Sequence, residues 1–294
     1  MKTLPTAFHG LLSTVTDTHE VIAEHPRSDS LRTSLWELQA PGGTRWYAKQ
    51  NTGPKLHRRE VEAYAKWTAA LGQDRTPTLV ASDAETRTVL VTAVPGQSLD
   101  KLRLPAEQER EAYRQAGALL ARLHAADPRS CPSTEAEAEW EADLEKLLAA
   151  AEAYLTIDDL KFLGALASKA PAGLDAVVAH GDYRPRNWMW DEREQYLRVI
   201  DFERTQLEPA VRRDLSRLYY RDLYQRPDLA AAFASGYARP LTPEEQQARI
   251  AYGVLDALDS VRFGTQHHDL ELVDEAHTMI MNLRAEHTRT TVGW

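Results

Sequence analysis

Cys131 is the only cysteine among 294 residues, so no disulfide within the chain and no cysteine metal cluster can form. Long apolar runs are missing too: no stretch approaches the roughly 18 residues that a membrane-spanning helix needs. Basic charge is scarce, with 35 Lys and Arg against 44 Asp and Glu and a formal net charge of −9. Without a large basic surface to neutralise phosphates, the chain is no general nucleic-acid binder. The first residues, Met1-Lys2-Thr3-Leu4-Pro5, carry no apolar core like that of a signal peptide. No internal repeat of about 20–50 residues recurs. The expectation is a cytoplasmic protein that engages neither membrane nor nucleic acid. The rest is ordinary: 43% hydrophobic and 27% charged residues, a globular make-up long enough for one large domain or two lobes.

Two compositional regimes divide the chain. Apolar or β-branched runs at Thr33–Leu38 and Thr44–Gln50 flank Pro41-Gly42-Gly43, the pattern of a hairpin. A helix follows, entered at Pro54, whose missing N–H costs nothing in a first turn, and stopped near Gly72. Thr88–Val94 is a further β-rich run, closed by Pro95-Gly96. From about residue 104 to 170 the chain is rich in Ala, Leu, Glu and Arg at helical spacing. β-Rich segments return at Ala176–Ala179 and Tyr196–Phe202, and after Arg213 the pattern is helical apart from a break near Arg239-Pro240. The expected class is α+β: a small β-rich N-lobe, a Pro-Gly hinge and a larger, mainly helical C-lobe.

Chemistry concentrates in His180-Gly181-Asp182-Tyr183-Arg184-Pro185-Arg186-Asn187, preceded by Val177-Val178-Ala179. A second carboxylate follows 19 residues after Asp182, in Val199-Ile200-Asp201-Phe202. Magnesium-assisted phosphoryl transfer requires oxygen ligands for the metal and a carboxylate to orient the attacking hydroxyl. Asp182, Asn187 and Asp201 supply those groups. Both carboxylates leave short strands, and Pro185 stiffens the loop between Asp182 and Asn187.

These residues resemble the aminoglycoside phosphotransferase family, small-molecule kinases of the protein-kinase-like fold. That family shows His-Gly-Asp, four residues and Asn, then Ile-Asp with an aromatic and often an acid; here these are His180-Gly181-Asp182, Asn187 and Ile200-Asp201-Phe202-Glu203. The resemblance extends to Val94-Pro95-Gly96, to Leu119-Leu120-Ala121-Arg122-Leu123-His124 and to Asp214-Leu215. It implies a bilobal protein-kinase-like fold with a nucleotide-binding lobe at 1–93 and a C-terminal lobe at 94–294. The latter would hold a catalytic core at about 171–239 and helical acceptor-binding parts at about 103–170 and 240–294. ATP or GTP is then the donor, Mg2+ the cofactor, and the acceptor an alcohol of an antibiotic-like small molecule. Asp182 would orient or deprotonate the acceptor hydroxyl, while Asn187 and Asp201 hold Mg2+. His180 would shape the loop, and Asp214 would accept hydrogen bonds from its backbone. Thr92 and Val94 would meet the base at the hinge. Arg27-Ser28-Asp29-Ser30 resembles the family's nucleotide-positioning loop, with Ser28 and Ser30 near phosphate oxygens.

The fold also needs a strand lysine for the α- and β-phosphates and a helical acid to hold it. Lys49 closes Trp46-Tyr47-Ala48-Lys49, and Glu60 and Glu62 compete as partner. Leu56, Tyr64, Trp67 and Leu71 form an apolar stripe, and Glu60 lies four residues from both Leu56 and Tyr64, on the same face. Glu62 is displaced by roughly 200° at about 100° per residue, towards solvent. An acid on a buried face wants a buried cation, so Glu60 is the expected partner.

Two departures point away from a protein kinase: no G-x-G-x-x-G precedes Lys49, and Glu203 stands where glycine would follow Asp201-Phe202. Between Ser133 and Leu160 nine acids meet one base, Lys146. Such a segment suits a cationic acceptor, with Glu139, Asp143 and, from the catalytic loop, Arg184 as expected contacts. His267-His268 with Asp269 is not read as a metal site, because adjacent helical residues face different ways. Two alternatives stay open: a kinase of this fold for a metabolite such as choline or a sugar, and a kinase-like nucleotide-binding protein without transfer activity.

Overall fold

A computed structural model describes residues 4–25, 34–127, 131–133 and 137–289. The chain begins with α1 (His9–Ser13), β1 (Glu20–His25), β2 (Ser34–Gln39), β3 (Arg45–Gln50), α2 (Pro54–Lys66), β4 (Leu79–Asp83), β5 (Thr88–Thr92) and β6 (Gln97–Ser98). It continues through α3 (Ala106–His124), β7 (Cys131–Ser133), α4 (Glu137–Ala151), α5 (Ile157–Leu166) and β8 (Leu174–Ala179). β9 (Trp188–Asp191), β10 (Tyr196–Val199) and β11 (Gln206–Pro209) precede α6 (Asp214–Leu218), α7 (Pro227–Tyr237), α8 (Pro243–Gln266) and α9 (Leu270–Thr288). No helix among the described residues is long and apolar enough to cross a membrane. Two compact units result: Met1–Arg103 with Pro185–Gln206, and Leu104–Arg184 with Leu207–Trp294.

The first unit is built on an antiparallel sheet of order β1-β2-β3-β5-β4. Trp36, Leu38 and Ala40 alternate onto one face and are buried with Trp46, Ala48 and Leu90, the period-2 pattern of a half-covered sheet. Leu11 and Leu12 of α1, with Phe8 from the turn just before it, close that face, and the Phe8 ring meets Trp36 edge-on at 5.0 Å. Lys49 pairs with Leu35 on β2 and Val89 on β5, so it stands on a central strand. α2 starts at Pro54, its fixed φ suiting a first helical turn, and buries His57, Glu60 and Ala63.

β9 and β10 form a hairpin that also belongs to this unit, with β6 added to its β9 edge. Arg75 ties the hairpin to the sheet side: its carbonyl accepts from Val199 N–H at 2.8 Å, and Arg75 Nη1 donates to Leu197 O at 2.7 Å. Gly96 lies against the hairpin with φ +107°, and a Cβ there would come within 2.7 Å of Trp190 O. Only glycine tolerates both conditions. These contacts explain why the boundary does not fall at 93/94 as the sequence pattern suggested. Residues 94–103 and 185–206 stay with the sheet.

In the second unit, α3 and α7 cross with backbone against backbone. A Cβ on Gly117 would come 2.1 Å from Phe233 O, and one on Gly236 would come 1.8 Å from Arg114 O. α8 is the central helix, opened by a capping box between Thr242 and Glu245 and burying Ala248, Ala251, Val254, Ala257, Leu258 and Val261. β8 lies between β11 and β7 in a small sheet, and its end delivers His180-Gly181-Asp182. We expect Gly117→Ala to lower stability by about 1–3 kcal/mol in chemical denaturation, the usual cost of forcing atoms into a packed core. Gly10→Ala, where a Cβ meets nothing within 4 Å, should leave stability unchanged or slightly raised. Equal effects of the two would mean that the crossing is looser than described.

Candidate active site

In the first unit the Lys49 ammonium is buried among three carboxylates. It lies 3.1 Å from Glu60 Oε1, 2.5 Å from Asp201 Oδ1 and 2.8 Å from Glu203 Oε2. Asn51 Nδ2 donates to Glu60 Oε2 at 2.8 Å and to Glu203 Oε2 at 3.3 Å, holding both acids in place. Burial opposes the lysine charge, but Asp201, Glu60 and Glu203 together hold it well above the ordinary lysine range. Glu60 is pushed up, first by burial and then by the charges of Asp201 and Glu203, against the pull of Lys49 and Asn51. The cluster thus carries more negative charge than one ammonium balances. Glu62 faces the other way, accepting from Lys66 Nζ at 2.6 Å with its side chain 37% exposed. Glu203 and Asn51 are the residues that sequence reasoning missed. The acid following Ile-Asp-aromatic was visible, but its reach to Lys49 was not.

A hairpin explains the placing of Asn187 and Asp201. Trp188 pairs with Val199, so Asn187 and Ile200 stand opposite one another at its open end, joined by Ile200 N–H to Asn187 O at 3.1 Å. Asp201 comes next, in left-handed backbone with φ 71° and ψ 67°, an uncommon conformation that short polar side chains tolerate best. No group of three or more His, Cys, Asp or Glu among the described residues is arranged to hold a metal by itself. A hard divalent cation that takes the rest of its shell from phosphate and water needs less, and an all-oxygen pair beside surplus negative charge fits it.

The two residues expected to meet the base differ from one another. Thr92 N–H donates to Thr78 O at 3.0 Å, and Thr92 Oγ1 accepts from Thr78 N–H at 2.9 Å. Those groups are therefore committed to the sheet and are not offered to a base. Val94, two residues on, has no backbone hydrogen-bond partner among the described residues. Ser28 and Ser30 lie outside the described residues.

In the second unit the loop of His180–Arg184 hangs from Asp214. Its Oδ2 accepts from His180 N–H and its Oδ1 from Gly181 N–H, each at 2.7 Å. His124 Nε2 lies 3.1 Å from the same carboxylate, and His124 Nδ1 lies 2.8 Å from Tyr237 Oη. Burial opposes the Asp214 charge, yet His124, His180 and the backbone bond hold the carboxyl below its ordinary value. Asp182 N–H donates to His180 Nδ1 at 3.3 Å, which makes His180 a shaper of the loop. Tyr183 Oη anchors the next residue on Ala116 O at 2.7 Å.

A closed ring of ion pairs starts and ends on this loop. Arg184 is bonded to Asp222 and, at 3.0 Å, to Glu275. Glu275 receives Arg221 at 2.5 Å, Arg221 also reaches Asp256 at 2.7 Å, and Asp256 receives Arg217 at 2.6 Å. Arg217 Nη1 then donates to Gly181 O at 3.3 Å. Arg184, expected to contact the acceptor, is instead buried as a strut, with every guanidinium nitrogen already bonded.

A groove of about 280 Å³ opens beside Arg217. α4 gives it Asp143, Lys146 and Leu147; Arg212 and Arg213 precede α6; α8 gives Tyr252, Leu255, Asp256, Asp259 and Arg262. Asp143, one of the expected acceptor contacts, thus lines this groove, whose charges are mixed and not the acidic wall that the composition of 133–160 suggested. Glu139 is exposed on α4 and does not line it. Asp269 caps the N-terminus of α9, accepting from Leu272 N–H at 3.1 Å, a structural use of the residue beside His267-His268.

The comparisons with known proteins give the class. The phosphotransferase enzyme family matches residues 26–258, and the chain belongs to it. None of the curated proteins compared with the chain matches its sequence. Among solved structures, a 2″-aminoglycoside phosphotransferase complexed with GDP and kanamycin is similar with a TM-score of 0.65 at 13% identity, covering 96% of this chain and 98% of that one. Spectinomycin phosphotransferase with ADP and spectinomycin gives 0.57 at 13% identity, covering 94% and 90%. The macrolide 2′-phosphotransferase of Brachybacterium faecium gives 0.53 at 16% identity, covering 90% and 91%. At such identities the likeness shows the kinase-like fold, a small antiparallel sheet lobe and a helical lobe. The chain is a phosphotransferase of that fold.

Two expectations follow from the site. Glu60→Gln should reduce turnover at least about ten-fold more than Glu62→Gln, since it strips a buried ammonium of a partner whereas the other loses a surface pair. Equal small effects in steady-state kinetics would sink the pairing. Asp256, held at about 2 by Arg217 and Arg221 despite its burial, lies below its ordinary 3.8. A depressed carboxyl contributes stability that is full above the unfolded value and lost as pH falls through the folded one. Denaturation midpoints should therefore drop between about pH 4 and pH 2, and Asp256→Asn should flatten that part of the profile.

Proposed function

We propose that the protein transfers the γ-phosphate of ATP or GTP to a hydroxyl of a small natural-product or antibiotic-like acceptor, in the cytoplasm where those donors are abundant. The observation that carries this reading is the bond between Lys49 on β3 and Asp201, 152 positions apart in sequence, with Glu60 behind the lysine. Such a buried cation, over-supplied with carboxylates, serves to hold the phosphates of a nucleotide. The unpartnered backbone of Val94 suits the edge of a purine. Similar structures hold GDP with kanamycin and ADP with spectinomycin, which supports a nucleotide donor and a small-molecule acceptor.

In this mechanism Lys49 binds the α- and β-phosphates, and Glu60, Glu203 and Asn51 keep it from straying. Asn187 and Asp201 would hold Mg2+, which supplies charge neutralisation on the phosphate oxygens when bound. Asp182 receives the hydrogen bond of the acceptor hydroxyl, aims its oxygen at the γ-phosphorus and takes the proton as the new P–O bond forms and the bond from the γ-phosphorus to the β–γ bridging oxygen breaks, releasing the nucleoside diphosphate. In a loose transition state that proton moves late, so Asp182 acts more by aiming than by basicity. His180 and Asp214 fix the loop in advance, so little reorganisation is needed at the moment of transfer.

The direct experiment is a panel of hydroxylated antibiotics and metabolites screened by mass spectrometry for the gain of one phosphate with ATP and with GTP. No phosphorylated product, together with no magnesium-dependent nucleotide binding, would overturn the reading. Asp182→Asn should lower kcat by about 10²–10⁴ while sparing nucleotide binding. Asp201→Asn should weaken magnesium-dependent nucleotide binding itself. Near wild-type turnover in Asp182→Asn would show that the loop is misassigned.

A further inference from the structure

The groove beside Arg217 has the place, the size and the charge to define the acceptor. Its place follows from Arg217, which both lines it and holds the Gly181 carbonyl one residue before Asp182. Its walls come from α4 and α8, within the helical segments where the acceptor was expected. At about 280 Å³ it falls just below the range of ordinary ligand pockets, which run from about 300 to 1,000 Å³. It suits an acceptor nearer in size to one sugar or one aromatic ring than to a many-ringed antibiotic.

The charge is the informative part. Among the described lining residues, Lys146, Arg212, Arg213, Arg217 and Arg262 face Asp143, Asp256 and Asp259. Asp256 is already bonded to Arg217 and Arg221, and Asp259 to Arg262 at 2.5 Å. Behind the wall, buried Glu208 serves Arg213 at 3.1 Å and Arg212 at 3.9 Å. A polyamine entering here would find one carboxylate not yet bonded, Asp143, and would have to pass four guanidinium groups. An anion would find Lys146, which is exposed and has no bonded partner among the described residues, set among the guanidinium groups of Arg212, Arg213, Arg217 and Arg262, each already paired with an acid but together with Lys146 outnumbering the lining carboxylates five to three. Leu147, Tyr252 and Leu255 add apolar surface for a ring or short chain.

Resting on the phosphotransferase reading above, we propose that this groove receives the acceptor and that the acceptor carries an anionic group, a carboxylate or a phosphate ester, beside the hydroxyl that is phosphorylated. Asp182 takes the hydroxyl while the arginine and lysine wall takes the anion. The anion thereby fixes which hydroxyl faces the nucleotide, and amine-rich acceptors are turned away.

A matched trio of probes tests this: 3-hydroxybenzoate, 3-hydroxybenzamide and 3-hydroxybenzylamine, alike in shape and hydroxyl but negative, neutral and positive. Binding is measured by calorimetry and saturation-transfer NMR on the full chain with saturating Mg2+ and a non-hydrolysable ATP analogue, so that the phosphate site is already filled. The expected result is that the benzoate binds at least about ten-fold more tightly than the benzylamine, with the amide between, and that added salt narrows the gap. Lys146→Glu and Arg213→Gln should each weaken benzoate binding. Arg213 is tied to buried Glu208, so its replacement can disturb folding; Lys146 is exposed, and its replacement keeps the test sound. Equal or tighter binding of the amine, no binding of any probe, or benzoate binding indifferent to Lys146→Glu would overturn the proposal. Magnesium-dependent ATP binding and slow ATP hydrolysis, followed in parallel samples of the same protein without the analogue, separate this failure from that of the phosphotransferase reading, which falls only if those are lost.

Discussion

One buried carboxylate holds the second unit's chemistry in register. Asp214 sits at the start of α6 with its side chain fully covered, and three other segments converge on it. The loop after β8 sends two backbone amides, α3 sends His124, and α7 reaches it through Tyr237 and that histidine. A buried charge is tolerable only where every lone pair finds a donor, and this one finds three directly. The arrangement has a single solution, because moving any one donor leaves a charge without relief. The orientation of Asp182 inherits that rigidity. Lys49 plays the converse part in the first unit, as a buried cation that several carboxylates oversee.

Within the second unit the ion-pair ring through Arg184, Glu275, Arg221, Asp256 and Arg217 performs a second service. Alternating charges couple the loop that carries Asp182 to α6, α8 and α9 within one unit, with Asp256 of α8 and Glu275 of α9 each shared by two cations. Networks of this kind resist loosening better than isolated pairs, since losing one bond leaves the neighbours charged and compensated. The loop is therefore clamped from its backbone side by Asp214 and from its flank by arginines.

Local periodicity made part of this legible in sequence. The hairpin around Pro41-Gly42-Gly43, the helix opened by Pro54 and the long helices after Arg213 follow from patterns that repeat within a few residues. The choice of Glu60 over Glu62 followed from the same rule, since helical geometry alone separates two acids two positions apart. What stayed hidden depends on partners far along the chain. β9 carries only four residues, too few to show alternation, yet with β10 it brings Asn187 beside Ile200 and moves the unit boundary. Arg184, Thr92 and Glu203 look free in sequence because nothing near them in the chain announces Glu275, Thr78 or Lys49. The groove was least visible of all. The acidic run of α4 suggested a negative wall, while the arginines opposite it come from segments some 70 to 120 residues away.

The glycine crossing of α3 and α7 has a consequence for how the molecule ages and tolerates change. Two helices that touch through main chain, with no side chain as cushion, can neither slide nor trade one residue for a bulkier one. His124 lies at the end of one helix and Tyr237 at the end of the other, so the crossing acts as a jig that sets the span between them. Amide hydrogens in this crossing should be among the last to exchange with solvent. Sequence drift elsewhere in these helices can run far while positions 117 and 236 stay frozen, and a protease probing the folded chain would find its openings in other places.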